Sequence, residues 1–387
     1  MKFVRSVIVV GMVAVVCFVA GLVVRPYLKE DRLFSVYQQQ IRGQPSSKQK
    51  PDEDGVFDTV AQTNFRNLIT IRNSQDVERK RDALTSFLWR HTQSPFGRLP
   101  DKVEDHSLLL MNDILSIRST ERMVINMPLG VNSVAYLFAP MEPSSCLMFY
   151  QEGHRVSFLE RKKLLRRLLD AGCHVVALSL PLTGGENSRP LLDHPRFGRV
   201  LLNDPDKFEI IETETLSTLQ FFLTPPIVAL NHVLASRRFE RVGITGFSGG
   251  GWVATMVAAL DPRFQYSYVV SGTVPTSVHA AALSWGSFEQ RLGRLYEIAT
   301  YPELYVMGAA GDGRRQIQFF NEEDPCCFSG ENWRFWEEAV ARRAGSLGGS
   351  FAIVGDEIGA THHIGQKFAD MIVEDFASGP VATHAQK

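Results

Sequence analysis

The spacing of apolar positions changes along the chain, and each change marks a different kind of element. Residues 6–24 form an uncharged apolar run flanked by Lys2, Arg5, Arg25 and Lys29. At about 1.5 Å of rise per helical residue, the run nearly matches a hydrocarbon core about 30 Å thick. A polar stretch rich in turn formers follows at 42–55, and residues 75–90 place Val77, Ala83, Leu84, Phe87 and Leu88 on one approximate helical face. Two short strands, 122–127 and 133–138, flank Pro128-Leu129-Gly130 and read as a hairpin. Beyond them strands and helices alternate: strand 146–150, helix 158–171 ending at Gly172, strand 174–180, a polar excursion at 183–214, and helix 216–235. Strand 241–245, helix 252–260, strands 266–271, 316–320 and 350–354, and helix 365–376 complete the series. This alternation predicts an α/β domain with a mostly parallel central sheet and helices on both faces, preceded by one transmembrane helix.

The boundaries that follow are an anchor with its flanks at 1–32, a flexible linker at 33–55, a helical extension at 56–105, the main domain at 106–380 and a tail at 381–387. A cleaved signal peptide competes with the anchor reading. Its apolar region is usually shorter and closed by a small-x-small site, which this run lacks. Basic residues lie on both sides of the run; Lys2 and Arg5 favour an N-inside anchor, with the main domain exported to a periplasmic or extracellular space.

Composition narrows the classes. Hydrophobic residues at 44% and charged residues at 21% exclude wholesale disorder, and a formal charge of −1 lacks the basic excess of a nucleic-acid binder. The five cysteines show no zinc-ligand spacing. Cys146 and Cys173 open two strands expected to be neighbours, so a disulfide and a pair of small buried thiols both remain open.

The chemistry concentrates at Gly246-Phe247-Ser248-Gly249-Gly250, a G-x-S-x-G pattern entered by an apolar strand and left by an apolar helix. Small residues beside the serine suit a tight turn, and a helix N-terminus favours developing negative charge. The alternative is a glycine-rich loop with an incidental serine, but no lysine follows the glycines and no G-x-G-x-x-G is present. A serine nucleophile needs a base, and the base an orienting carboxylate. Downstream, one strand ends at Asn321-Glu322-Glu323-Asp324, and another runs through Asp356 to His362-His363 before the last helix. Carboxyl ends of strands in an open sheet face one crevice.

Residues 120–378 resemble the α/β-hydrolase superfamily. The resemblance implies Asp324 as the acid, in a segment where Asn321 replaces a frequent glycine. It implies His362 as the base, with His363 an alternative one register away and Asp356 and Glu323 back-up acids. It further implies an oxyanion hole from the backbone N–H groups of Gly249 and His154, the latter in Gln151-Glu152-Gly153-His154, where Glu152 stands in place of a common histidine. Segments 180–187, 222–226 and 259–263, with Trp252, are similar to secreted bacterial-type esterase branches. The implied activity is hydrolysis of a small-molecule, glycan or lipid ester through an acyl-enzyme, with no metal or organic cofactor. Peptidase, thioesterase and acyltransferase activities use the same machinery, and a non-catalytic membrane-anchored binding protein is the rival of another class.

Overall fold

The apolar runs expected as strands come together in one sheet. A computed structural model describes residues 60–281, 286–324, 326, 328–356 and 361–378. The strands are β1 (Lys102–Asp105), β2 (Ile117–Ile125), β3 (Ser133–Pro140), β4 (Cys146–Gln151), β5 (His174–Leu178), β6 (Leu191–His194), β7 (Gly198–Leu201), β8 (Arg241–Phe247), β9 (Tyr266–Val270), β10 (Arg315–Asn321) and β11 (Ser350–Asp356). Nine of them form a sheet of order β1-β2-β3-β5-β4-β8-β9-β10-β11, and β6 and β7 form a separate hairpin. From β5 across to β11 every pairing is parallel. The β1, β2 and β3 pairings are antiparallel, including that of β3 with β5.

A sheet buried on both faces needs apolar residues on both, and the runs supply them: every residue of β3, β4 and β5 is buried. On one face lie α2 (Lys163–Asp170) and the C-terminal helix Gln366–Ser378, which bury Leu164, Leu165, Leu168, Leu169, Phe368, Ile372 and Phe376. Each such side chain contributes roughly 1.5–3 kcal/mol when fully buried. The other face carries α1 (Ser74–Leu88), α3 (Gln220–Ser236) and α4 (Gly249–Leu260) among others. Here α1 places Leu84 and Leu88 in the shared core, and Trp89 Nε1 just after it donates to Thr224 Oγ1 at 2.9 Å. Strand β1, counted above with that extension, is the edge strand of the main sheet.

Several boundaries differ from expectation for identifiable reasons. The helix expected at 158–171 is divided into a 3-10 turn, Phe158–Glu160, and α2. Ser157 and Glu160 form a capping box that closes the first turn separately, and Phe158 is pinned against the rings of Tyr136 and Phe138. The helix expected from 216 starts at Gln220, because Glu212 ties down Thr218 through both its N–H and its hydroxyl. Pro225 and Pro226 then lie inside α3, where almost complete burial outweighs their helix-breaking cost of ~3 kcal/mol. The polar excursion at 183–214 holds the β6–β7 hairpin and a 3-10 segment, Pro205–Ile211. Helices at 276–309 and Arg334–Ser346 have no counterpart in the sequence reading. Tyr301–Ala309 is buried on every side, so its residues show no amphipathic period.

Among the described residues no helix is long and apolar enough to cross a membrane. The expected anchor at 6–24, the linker and the tail lie outside them. The open question at the cysteines is answered: Cys146 and Cys173 form a disulfide, with Cα atoms 4.8 Å apart.

Candidate active site

Strand β8 leads directly into α4, and the joint is Ser248, whose φ of 54° and ψ of −125° place it in a conformation that costs a non-glycine residue energy. The turn survives because Gly246 and Gly250, two residues to either side, have no side chains. A β-carbon on Gly246 would stand 2.0 Å from the Gly250 carbonyl oxygen, and one on Gly250 would stand 2.1 Å from that of Gln151. The Ser248 N–H is fixed by the Val270 carbonyl at 2.9 Å, so β9 holds the turn from the side. The result is a partly exposed serine at the N-terminus of a twelve-residue helix.

The carboxyl ends of β10 and β11 bring the other two expected residues to it. His362 Nε2 lies 2.9 Å from Ser248 Oγ, and His362 Nδ1 lies 2.6 Å from Asp324 Oδ2. With the Nδ1–H donating to the carboxylate, Nε2 is free to accept from the serine hydroxyl. The Asp324 side chain is fully buried, and its other oxygen accepts the Cys326 N–H at 2.8 Å. The His362 ring packs against Phe247, with centroids 4.6 Å apart, and stacks more distantly on Phe328.

The alternates are not brought to the serine. His363 is exposed, its Nδ1 against Thr361 Oγ1 at 2.5 Å. Asp356 faces Lys367 at 3.4 Å. Glu323 is exposed. Of the cysteine pair beside Asp324, Cys326 is disulfide-bonded, while Cys327 lies outside the described residues.

The loop after β4 closes the site from the other side. Gly153 is so near that a β-carbon there would meet Ser248 Cβ at 2.9 Å. Glu152, the departure from the family pattern, is fully buried; it accepts the Tyr150 hydroxyl at 2.5 Å and the Gly153 N–H at 2.9 Å. Burial lifts its carboxyl above the usual range, against the pull of those two hydrogen bonds. Glu152 thereby occupies the Gly153 donor, whereas the His154 N–H has no acceptor among the described residues. Gly249 opens α4, where the first N–H groups lack intrahelical acceptors. Both expected oxyanion donors are therefore unengaged by the protein.

Two contributors went unassigned in the sequence. Asn321, buried at the end of β10, donates from Nδ2 to the carbonyls of Thr361 at 3.2 Å and His363 at 2.9 Å, one on each side of His362. Its signal was present, as the asparagine standing where the family often has glycine. Glu289, in the four-residue helix Phe288–Arg291, reaches the His154 ring from a stretch with no legible period. Among the described residues no cluster of three or more His, Cys, Asp or Glu is arranged to hold a metal ion.

Residues 148–382, more than half of the chain, match the alpha/beta hydrolase family. No curated protein sequence matches the chain. Solved structures do. An acetyl xylan esterase from Paenibacillus sp. R4 is 17% identical, over 82% of this chain and 98% of that one, with a TM-score of 0.51. Acetyl xylan esterase 1 from Thermoanaerobacterium sp. JW/SL YS485 is 14% identical over 81% and 97%, with a TM-score of 0.50. A glucuronoyl esterase from Solibacter usitatus is 13% identical over 78% and 91%, also with a TM-score of 0.50. At these identities the likeness is one of fold.

Proposed function

Since the chain belongs to the alpha/beta hydrolase family, we propose that it is a serine hydrolase that cleaves carboxylic esters through an acyl-enzyme. One observation carries the reading: a continuous hydrogen-bonded line from Ser248 through His362 to the buried carboxylate of Asp324, on a strained turn at a helix N-terminus. A hydroxyl in water is a poor nucleophile; a base at 2.9 Å whose tautomer is fixed by a carboxylate makes it a competent one.

In this mechanism Ser248 Oγ bonds to the ester carbonyl carbon as its proton passes to His362 Nε2. The carbonyl π pair moves onto oxygen, where the N–H groups of Gly249 and His154 hold it. Collapse breaks the bond to the leaving alcohol oxygen, which takes the proton from His362. Water then repeats the sequence on the acyl-enzyme. Asp324 keeps its charge throughout and stabilises the imidazolium.

The substrate proposed is an ester of an extracellular or envelope glycan or lipid. The names of the similar structures support ester chemistry on glycans. The Cys146–Cys173 disulfide supports an oxidising compartment, as export behind an N-terminal anchor at 6–24 would provide.

The test is covalent labelling of the full chain with a fluorophosphonate beside Ser248→Ala and His362→Ala. The expected result is labelling of the wild type, none in Ser248→Ala and slow labelling in His362→Ala. A folded wild type that stays unlabelled would sink the reading and favour a non-catalytic binding protein on this fold.

A further inference from the structure

The mechanism above uses only the backbone of His154, yet the side chain is placed as if it had work to do. Its ring lies against the first residue of α4: a β-carbon built on Gly249 would stand 2.4 Å from both Nδ1 and Cε1. Next to Cε1 in the ring, Nε2 lies 3.2 Å from Glu289 Oε1. The Glu289 side chain is fully buried, and neither of its oxygens has a well-formed hydrogen bond. A carboxylate removed from water without hydrogen bonds requires a nearby cation. His154 is the cation paired with it.

Resting on the proposed serine mechanism, we propose that the His154–Glu289 pair supplies a third, side-chain donor to the oxyanion hole. In this arrangement the Nδ1–H of a cationic His154 adds to the backbone N–H groups of His154 and Gly249. Glu289 is the positioning residue that holds the ring in place and in its charged form. Bond changes are those already given: the new C–O bond to Ser248 puts a full charge on the former carbonyl oxygen, and the serine proton goes to His362. His154 gives up no proton; it answers charge that is absent from the ground-state ester, and so acts on kcat more than on KM.

The electrostatic surroundings agree. Burial pulls the His154 imidazole pKa down, but Glu289, with Asp206 and Asp204 beyond it, outweighs burial and holds it above the usual value. These acids come from separate elements, Glu289 from the short helix and the aspartates from the segment at 204–211, and Arg155 on the histidine's own loop contacts Asp204 at 3.6 Å. Tyr296 and Tyr301, both pushed up by burial, also face Glu289. The other titratable groups of the site are Glu152 on the histidine's loop and His362 with Asp324 across Ser248.

The test compares Glu289→Gln, His154→Gln, the double variant and Glu289→Asp in the full chain, with 4-nitrophenyl acetate as the probe. Thermal unfolding confirms that each variant is folded. His154→Gln is expected to lower kcat about 100-fold, and Glu289→Gln about 10-fold, with KM within about twofold of wild type. The alkaline limb of the kcat profile should move to lower pH in Glu289→Gln, because the carboxylate that raises the imidazole pKa is gone, and Glu289→Asp should restore most of both. The double variant removes the unpaired charge that either single variant leaves buried. If the pair served packing alone, the double variant would regain wild-type kcat; on this proposal it stays as slow as His154→Gln. Wild-type kcat and pH profile in His154→Gln or in the double variant would overturn the oxyanion role while leaving Ser248 labelling intact. Loss of labelling in the wild type itself would remove both.

Discussion

The two ends of the same sheet are built on opposite principles. At the amino ends of β4 and β5, Cys146 and Cys173 are joined, and His174 packs its ring against Phe239 with centroids 5.1 Å apart. A covalent bond and a ring contact close that end, with His174 Nδ1 buried there without a hydrogen-bond partner. At the carboxyl ends, Ser248 holds an unfavourable φ, carboxylates are buried in ones and twos, and backbone donors are left without acceptors. The base of the sheet spends its chemistry on holding together. The crown keeps groups unsatisfied or strained and relies on the strands beneath to fix them, as functional sites commonly do. Substitutions at the crown should therefore cost rate with little stability, and those at the base stability with little rate.

The largest expected effect is Asp324→Asn. The asparagine carbonyl can keep the Cys326 N–H, but its amide then faces His362 Nδ1 and forces the proton to Nε2, the wrong tautomer for accepting from Ser248. Ester hydrolysis near pH 7 should fall about 10,000-fold, with an unfolding midpoint close to wild type. A loss of stability in step with rate would break the contrast between the two ends.

At the base, replacing both Cys146 and Cys173 by alanine should cost about 3–4 kcal/mol in urea unfolding, since the disulfide closes a loop with a sequence separation of 27. The kcat should be unchanged. His174 sharpens the same point through pH. Burial first, and then Arg237 and Arg118, depress its pKa from 6.5 to about 4. The unfolded chain then binds a proton that the folded one refuses, so stability falls as pH drops from about 6.5 toward 4 and is level below that. His174→Phe should flatten this limb, by up to roughly 3 kcal/mol, with no change near pH 8. An acid limb as steep as wild type would show that other groups govern it.

What the sequence made legible follows the same division. The G-x-S-x-G turn, Asp324 and His362 could be read because a strained turn and a hydrogen-bonded triad admit few residue types, and the alternating strands fixed which ends would meet. Glu152 and Asn321 were visible only as departures from a pattern. Their work, accepting one specific N–H and donating to two specific carbonyls, depends on loop geometry that periodicity does not carry. Glu289 gave no sign at all, since a carboxylate in a four-residue helix reads as a surface charge until tertiary packing buries it. The all-buried helix Tyr301–Ala309 escaped for a related reason: amphipathic spacing exists only where one face meets water.

Asn321 offers the finest test of the contrast, because it is fully buried like the base yet acts on the crown. Its Nδ2 spans the carbonyls on either side of His362, so it sets the height and tilt of the loop that carries the imidazole. Its Oδ1 has no hydrogen-bond partner, and alanine removes that buried acceptor together with the two donated bonds. The two effects on stability oppose, and Asn321→Ala should change it by only about 1 kcal/mol. The geometric effect has no such offset, because a base displaced by even about 1 Å loses much of its advantage. The kcat should fall about 10–100-fold with KM nearly unchanged, and the fluorophosphonate labelling rate should fall in parallel, since both read the same Ser248–His362 contact. Asn321→Asp should be worse than alanine, for a carboxylate cannot donate and repels the two carbonyls. Wild-type labelling in Asn321→Ala would mean that the Asp324 hydrogen bond and the Phe247 and Phe328 rings hold the histidine unaided, and the crown would then be more redundantly supported than its unsatisfied groups suggest.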